Sequence, residues 1–383
     1  MTEPRQTIQQ TIGLALSGGG VRAAAFHAGV LRYLAEKGLL ERVTHVSSVS
    51  GGSLFAGMVF RLNEYEWPSS VNYLVTVYPQ FRRLATTKSL QRAALRRLLL
   101  NPLNWRFLLS RANVLAEAIR ELWDVRASLS SLPVLPVWSI NGTTAETGRR
   151  FRFKAQEMGD YELGYAPAQQ FCLAHAMAVS AAFPGGIGPL SIKVSEFEWQ
   201  KGARIAVRKS HVPPFERLHL YDGGLYDNLG MEPLFDIGRR ETKLDGEDKV
   251  RADFIVVSDG GAPLERRAVP HPLNPFRFKR IADIALDQCR ALRVRVFVNH
   301  ILRQPTSGLF LGIGADAGSS IKAIVKGQDC DLSNYEWLVA EKAREAARVP
   351  TSLRQMTEEV FDLVARHGYE TAKWNFELSR RPM

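Results

Sequence analysis

Cysteine is scarce in this 383-residue chain, and Cys172, Cys289 and Cys330 are too few and too scattered for a disulfide framework or a thiolate metal cluster. Three thiols leave at least one unpaired in a monomer, which suits a reducing compartment. No stretch approaches the roughly 18 consecutive apolar residues of a membrane-spanning helix. The opening residues MTEPRQTIQQ lack the charged-then-apolar pattern of a signal peptide, so a cytoplasmic location, peripheral at a membrane, is expected. Without such a signal, the Asn141-Gly142-Thr143 sequon reads as an ordinary loop Asn. Acidic residues are missing between Glu66 and Glu117, where Arg82, Arg83, Lys88, Arg92, Arg96, Arg97, Arg106 and Arg111 all fall. The net charge of +11 draws the chain to polyanions. Zinc-finger spacing, RNP-like aromatics and a recognition helix are all lacking, so anionic lipid is favoured and no nucleic acid is expected.

What is present begins with alternation. Residues 12–17, IGLALS, read as a buried strand ending at glycines, and VRAAAFHAGVLRYLAEKG follows as a helix that Gly38 stops. Residues 43–49 are a second strand and GGSLFAGMVFRL a second helix, so parallel strands with right-handed crossovers are expected. Residues 64–132 break the rhythm and read as mostly helical. Strands resume at PVWSING and RRFRFKA, then at LHLYDGG and ADFIVVSDGG, with LAHAMAVSAAF between the pairs as a small-residue helix. The C-terminal third reads as largely helical, including residues 351–368, with Thr351 or Ser352 as cap and Gly368 as terminator. Without repeats or low-complexity linkers, one α/β domain spanning 1–383 is expected, with a basic helical insertion at 64–132 and a mainly helical part at 265–383.

Three short motifs carry chemistry. Ser48-Val49-Ser50-Gly51-Gly52 is a variant of G-x-S-x-G, in which a strand turns sharply into a helix and exposes a nucleophilic hydroxyl at the tip. Ser48 stands where the first Gly usually does. The plainer role of these serines is helix capping, with Ser47, Ser48 and Ser53 as competitors for any reactive role. Gly18-Gly19-Gly20-Val21-Arg22 can turn main-chain N–H groups toward one point at a helix start, which stabilises an oxyanion or a phosphate. The loop matches neither a P-loop nor G-x-G-x-x-G, so an oxyanion hole fits better, with Arg22 as a nearby cation. A serine nucleophile needs a base. None of the eight histidines has a telling context, and His27, inside a small-residue helix, reads as packing. Asp222 in LYDGGLYDNLG and Asp259 in SDGG compete for the role, and each equally suits plain turn formation.

Together these residues resemble the patatin-like phospholipases. The GGGVR loop, the serine elbow about 30 residues later, the distal DGG followed by Asn, and AVSAAFPGGIGPL occur in the family's order between residues 12 and about 260. The resemblance implies a three-layer α/β fold with a mostly parallel central sheet, and a Ser-Asp dyad of Ser50 as nucleophile and Asp222 as base. It further implies oxyanion donors at Gly18, Gly19 and Gly20 with Arg22 assisting, no metal or cofactor, and hydrolysis of carboxylic esters in phospholipids or other acyl lipids. Acyl transfer, lysophospholipase activity and a catalytically silent lipid-binding scaffold are the alternatives. In the basic segment, Arg alternates with Leu, Phe and Trp, which suits an anionic membrane surface as well as a solvated cap. Arg92, Arg96 and Arg97 are the candidate membrane contacts.

Overall fold

A computed structural model describes residues 10–107, 110–184, 186–202, 209–243, 250–266, 268–271, 274, 276–319, 321 and 335–379. Cys330 lies outside the described residues, while Cys172 and Cys289 are free thiols. β1 (Ile12–Leu16) is a run of five buried apolar residues, the pattern of a strand covered on both faces. It pairs in parallel with β2 (Val43–Ser48) on one side, after the crossover helix α1 (Gly20–Glu36). The second helix, α2 (Gly51–Leu62), starts at the end of β2.

The basic segment folds into a short turn, α3 (Ser70–Asn72), then α4 (Tyr78–Thr87), α5 (Leu90–Leu100) and α6 (Ala112–Leu122). β3 (Val137–Thr144) lies parallel to β2 and begins an antiparallel flank with β4 (Arg150–Phe153), β5 (Glu157–Asp160) and β6 (Gly164–Pro167). After α7 (Leu173–Ser180) come β7 (Leu190–Lys193), the two-residue strands β8 (Gln200–Lys201) and β9 (Lys209–Ser210), and β10 (Arg217–Asp222), which runs antiparallel to both β3 and β7. A helical turn, α8 (Gly224–Asp227), and a small two-stranded sheet, β11 (Phe235–Asp236) with β12 (Glu241–Thr242), lead to β13 (Phe254–Asp259). β13 pairs in parallel with β1 and with β14 (Gly308–Gly312), reached through the long α9 (Phe276–Arg303). Two helices close the described chain, α10 (Ala340–Arg348) and α11 (Glu358–Ser379).

The order β14-β13-β1-β2-β3 is therefore a parallel centre, and the strands beyond β3 form an antiparallel flank. Strand alternation sorts the side chains into layers. Leu14, Leu16 and Val256 join the core under α1, α2 and α11, whereas Ala15, Ile255 and Val257 join the one that holds Phe297 of α9. The result is three layers, helix on sheet on helix.

Two expectations need correction, and one strand is added. Residues 351–368 do not form one capped helix, because α11 starts at Glu358 and Gly368 lies within it rather than ending it. The reason is helix packing: a Cβ on Gly368 would sit 2.1 Å from the Phe26 carbonyl oxygen, and one on Gly29 1.8 Å from that of Ala365. Glycines at both positions let α1 and α11 approach backbone to backbone. The mainly helical C-terminal third adds one sheet strand, β14. Asn141, read as a loop residue, is buried in β3.

Candidate active site

β1 and β2 end side by side, and their C-terminal ends carry the glycine loop and the serine elbow. Ser50 is at φ 51° and ψ −118°, a conformation that L side chains rarely adopt. Its N–H donates to the Ser180 carbonyl at 3.1 Å and Oγ at 3.0 Å, which holds the corner in place. The glycines beyond it are dictated by crowding. A Cβ on Gly51 would meet the Gly20 carbonyl oxygen at 2.1 Å, and one on Gly52 the Leu16 carbonyl oxygen at 2.4 Å.

The competing serines are all engaged elsewhere. Ser48 is fully buried, with its Oγ 2.8 Å from the Trp138 indole N–H and 2.8 Å from Ser53 Oγ. Ser53 Oγ is also 2.8 Å from Ser180 Oγ, and Ser47 Oγ accepts from the Asn141 amide at 3.0 Å. Serine in place of the usual first Gly is thus absorbed into a polar cluster behind the elbow. Ser50, by contrast, lines a cavity of about 330 Å³.

Asp222 ends β10 opposite Gly142 of β3, only 3% exposed. Its Oδ1 accepts the Gly224 N–H at 2.7 Å, and the Ser50 hydroxyl lies near enough to favour the ionised carboxylate slightly. Burial pushes its pKa up to about 7, against the smaller opposing pull of the Gly224 N–H and the Ser50 hydroxyl. Asp259 has a different environment. It is fully buried and ion-paired with Arg290, whose Nε lies 2.8 Å from Oδ2, and it also accepts the Gly261 N–H at 2.9 Å. Of the two DGG carboxylates, only Asp222 faces the serine without a cationic partner among the described residues. His27 is buried, its ring nitrogens 2.7 Å from Ser258 Oγ and 3.0 Å from the Ser17 carbonyl oxygen, and burial lowers its pKa to about 4. It is a neutral core histidine.

The glycine loop divides its labour. The Gly18 N–H is taken by the Asn228 carbonyl at 3.0 Å, so Gly18 serves as a spacer rather than as a donor. A Cβ there would lie 2.3 Å from Asn228 Oδ1 and 3.1 Å from Ser50 Cβ. Among the described residues, the Gly19 and Gly20 N–H groups have no acceptor. Gly19 and Gly20 adopt φ of 140° and 63°. Arg22 is likewise not a cation facing the cavity. It is 1% exposed, its Nε donates to the Gly260 carbonyl at 3.0 Å and its Nη1 to that of Val349 at 2.6 Å. Burial lowers its pKa to about 10. The guanidinium braces the loop from behind.

Two contributors were not legible in the sequence. Gly51 follows Ser50, and its N–H lies at the start of α2 beside Gly20, where a nucleophile elbow would place an oxyanion donor. Residues 351–353 cross the glycine loop from the far end of the chain. The Val21 N–H donates to the Ser352 carbonyl at 3.0 Å, and the Leu353 carbonyl accepts the Gln91 N–H of α5 at 3.0 Å. Asn228, by contrast, had a signal in the Asn that follows DGG.

A family model for patatin-like phospholipases matches residues 14–235, well over half of the chain. The chain belongs to this family. Among solved structures, human GIVD cytosolic phospholipase A2 is similar at 14% identity and a TM-score of 0.54, over 97% of this chain and 62% of that one. The chain therefore spans about three fifths of that structure's length. The same human protein in complex with methyl gamma-linolenyl fluorophosphonate aligns at a TM-score of 0.49 and 14% identity, over 97% and 58% of the two chains. VipD from Legionella pneumophila aligns at 0.36 and 13%, over 97% and 67%. No curated protein sequence matches the chain. At 14% identity, the fold is what the human enzyme's first structure shares with it.

Proposed function

We propose that this patatin-like chain is a phospholipase A-type hydrolase that cleaves carboxylic esters of membrane phospholipids through Ser50 and Asp222. The observation that carries the reading is a desolvated carboxylate, poised near neutrality, against a hydroxyl held at a strained corner. Ser50 Oγ attacks the ester carbonyl carbon as Asp222 accepts its proton. The Gly19, Gly20 and Gly51 N–H groups receive the charge that develops on the carbonyl oxygen. Asp222 returns the proton to the departing alkoxide, leaving an acyl-Ser50 and a lysolipid. Water, deprotonated by the same carboxylate, then releases the fatty acid. Because β14 extends the central sheet and α11 packs on α1, the C-terminal part is proposed to belong to the same single catalytic unit.

The test is product analysis. Incubation with diacyl phospholipid vesicles should release free fatty acid and lysophospholipid by mass spectrometry, and an alkyl fluorophosphonate should add to the peptide bearing Ser50. Intact lipid after prolonged incubation, together with an unmodified Ser50, would sink the reading.

The basic segment has two roles in this proposal. Its helices α5 and α6 wall the cavity through Leu95, Leu98, Val114 and Leu115. Its outer surface would meet the bilayer, for Arg92 and Arg96 are exposed beside Leu99, Leu100, Leu103 and Trp105. Arg97 is turned inward instead, ion-paired with Glu121 of α6, and is withdrawn as a membrane contact. Each cation near an anionic surface contributes about 1 kcal/mol. Replacing Arg92 and Arg96 with Gln should therefore weaken binding to anionic vesicles by up to about thirtyfold at low salt, with a smaller effect at high salt. Equal partitioning of wild type and variant in a sedimentation assay would reduce this face to a solvated cap.

A further inference from the structure

The cavity beside Ser50 is mainly apolar, and among the described residues that line it Arg111 is the one charged group. Its main chain is fixed just before α6: the N–H donates to the Ile187 carbonyl at 2.9 Å and the carbonyl accepts from Leu115 at 3.0 Å. The side chain is less settled. Its Nε is buried without a hydrogen-bond partner, and no carboxylate among the described residues pairs with the guanidinium. A buried N–H left unpaired loses the free energy of its hydration, and an uncompensated charge against apolar walls adds to the loss. Two other half-buried arginines of the segment are matched: Arg82 has Glu358 and Asp362, and Arg97 has Glu121. Arg111 instead lines the space a substrate must enter with its Nε unpaired.

An anion in that space would answer both deficits, and a guanidinium fork suits the oxygens of a phosphate. The ester that Ser50 attacks must occupy the same cavity. In a glycerophospholipid, ester carbonyl and phosphorus are only a few bonds apart, so one molecule reaches both groups. We infer that Arg111 is the phosphate-recognising residue of this cavity, holding the phosphodiester of a glycerophospholipid while its ester lies at Ser50. The inference rests on the proposed function for its substrate class. It adds that discrimination against uncharged acylglycerols resides in α6 rather than in the glycine loop, whose own arginine is committed to main-chain carbonyls.

The test uses binding, so that it does not depend on turnover. A short-chain diether phosphatidylcholine below its micellar concentration is compared with the matching uncharged diether glycerol, by calorimetry, on wild type, Arg111→Gln and Arg111→Lys. Wild type should prefer the phospholipid analogue. The preference should fall tenfold or more in Arg111→Gln and by less in Arg111→Lys, which keeps the charge but loses the fork. An unchanged preference in Arg111→Gln would overturn the assignment. So would inorganic phosphate binding wild type as tightly as the diether lipid, since the site would then be one for free anions. If Arg111→Gln does not fold, an unaltered preference in folded Arg111→Lys together with no competition from glycerophosphocholine on wild type would overturn it equally. Absence of hydrolysis on natural lipids would sink the proposed function while leaving this comparison readable.

Discussion

Ser50→Ala is expected to lower ester hydrolysis by about 10⁴-fold or more, equivalent to roughly 5 kcal/mol of transition-state stabilisation. The fold should survive. Ala meets the same φ of 51° as Ser, and the hydrogen bonds that hold the corner use the Ser50 N–H, which Ala retains. Ser50→Gly sharpens the test, since glycine tolerates this backbone and should relieve about 1–3 kcal/mol of strain. An inactive Ser50→Gly protein that melts above wild type would show that the conformation serves the reaction at the expense of stability. Turnover persisting in folded Ser50→Ala would refute Ser50 as nucleophile. The buried, mutually bonded Ser48 and Ser53 would be poor replacements.

Asp222→Asn should be nearly as damaging, by about 10³- to 10⁴-fold, since an amide cannot take the serine proton. Wild-type kcat/KM should decline tenfold per pH unit below about 7, as the carboxylate protonates. The stability effect has the opposite sign. The folded pKa of about 7 lies above the ordinary 3.8, so the stability linked to Asp222 is fully present below about pH 4 and is lost as pH rises through about 7. Asp222→Asn should therefore raise Tm more at pH 8 than at pH 5, while activity vanishes at both. Asp259→Asn should show the converse, with the chemistry largely kept and a stability loss of about 3 kcal/mol or more from the broken buried pair with Arg290. If instead Asp259→Asn abolished turnover while Asp222→Asn did not, the dyad would have to be redrawn.

The parts of the fold that could be read from the sequence are those whose residues report on their immediate neighbours. β1 shows itself as an unbroken apolar run, and α2 starts and stops where GGSLFAGMVFRL does. The elbow and the glycine loop were legible because close backbone approach at Gly20 and Gly51 tolerates so few residue types. What escaped was set by partners distant in the chain. Gly368 looked like a helix terminator because the backbone it touches, at Phe26, is more than three hundred residues away. The commitment of the Gly18 N–H to Asn228, and of Arg22 to Gly260 and Val349, could not be read locally either. Nor could the choice between Asp222 and Asp259 be made from DGG itself. The proposed choice leans on Arg290, a residue of α9 that no local pattern links to the motif.

The strap over the glycine loop bears on how the molecule comes into being. Arg22 and its partner Val349 are 327 residues apart, and the Val21 N–H waits for Ser352 across a similar span. During synthesis the loop leaves the ribosome more than three hundred residues ahead of its brace. Contacts of such separation form late and slowly. A nascent chain that already has Ser50, its elbow and Asp222 still lacks the support that steadies the glycine loop. Order of synthesis thus sets a delay between making the serine elbow and bracing the glycine loop beside it.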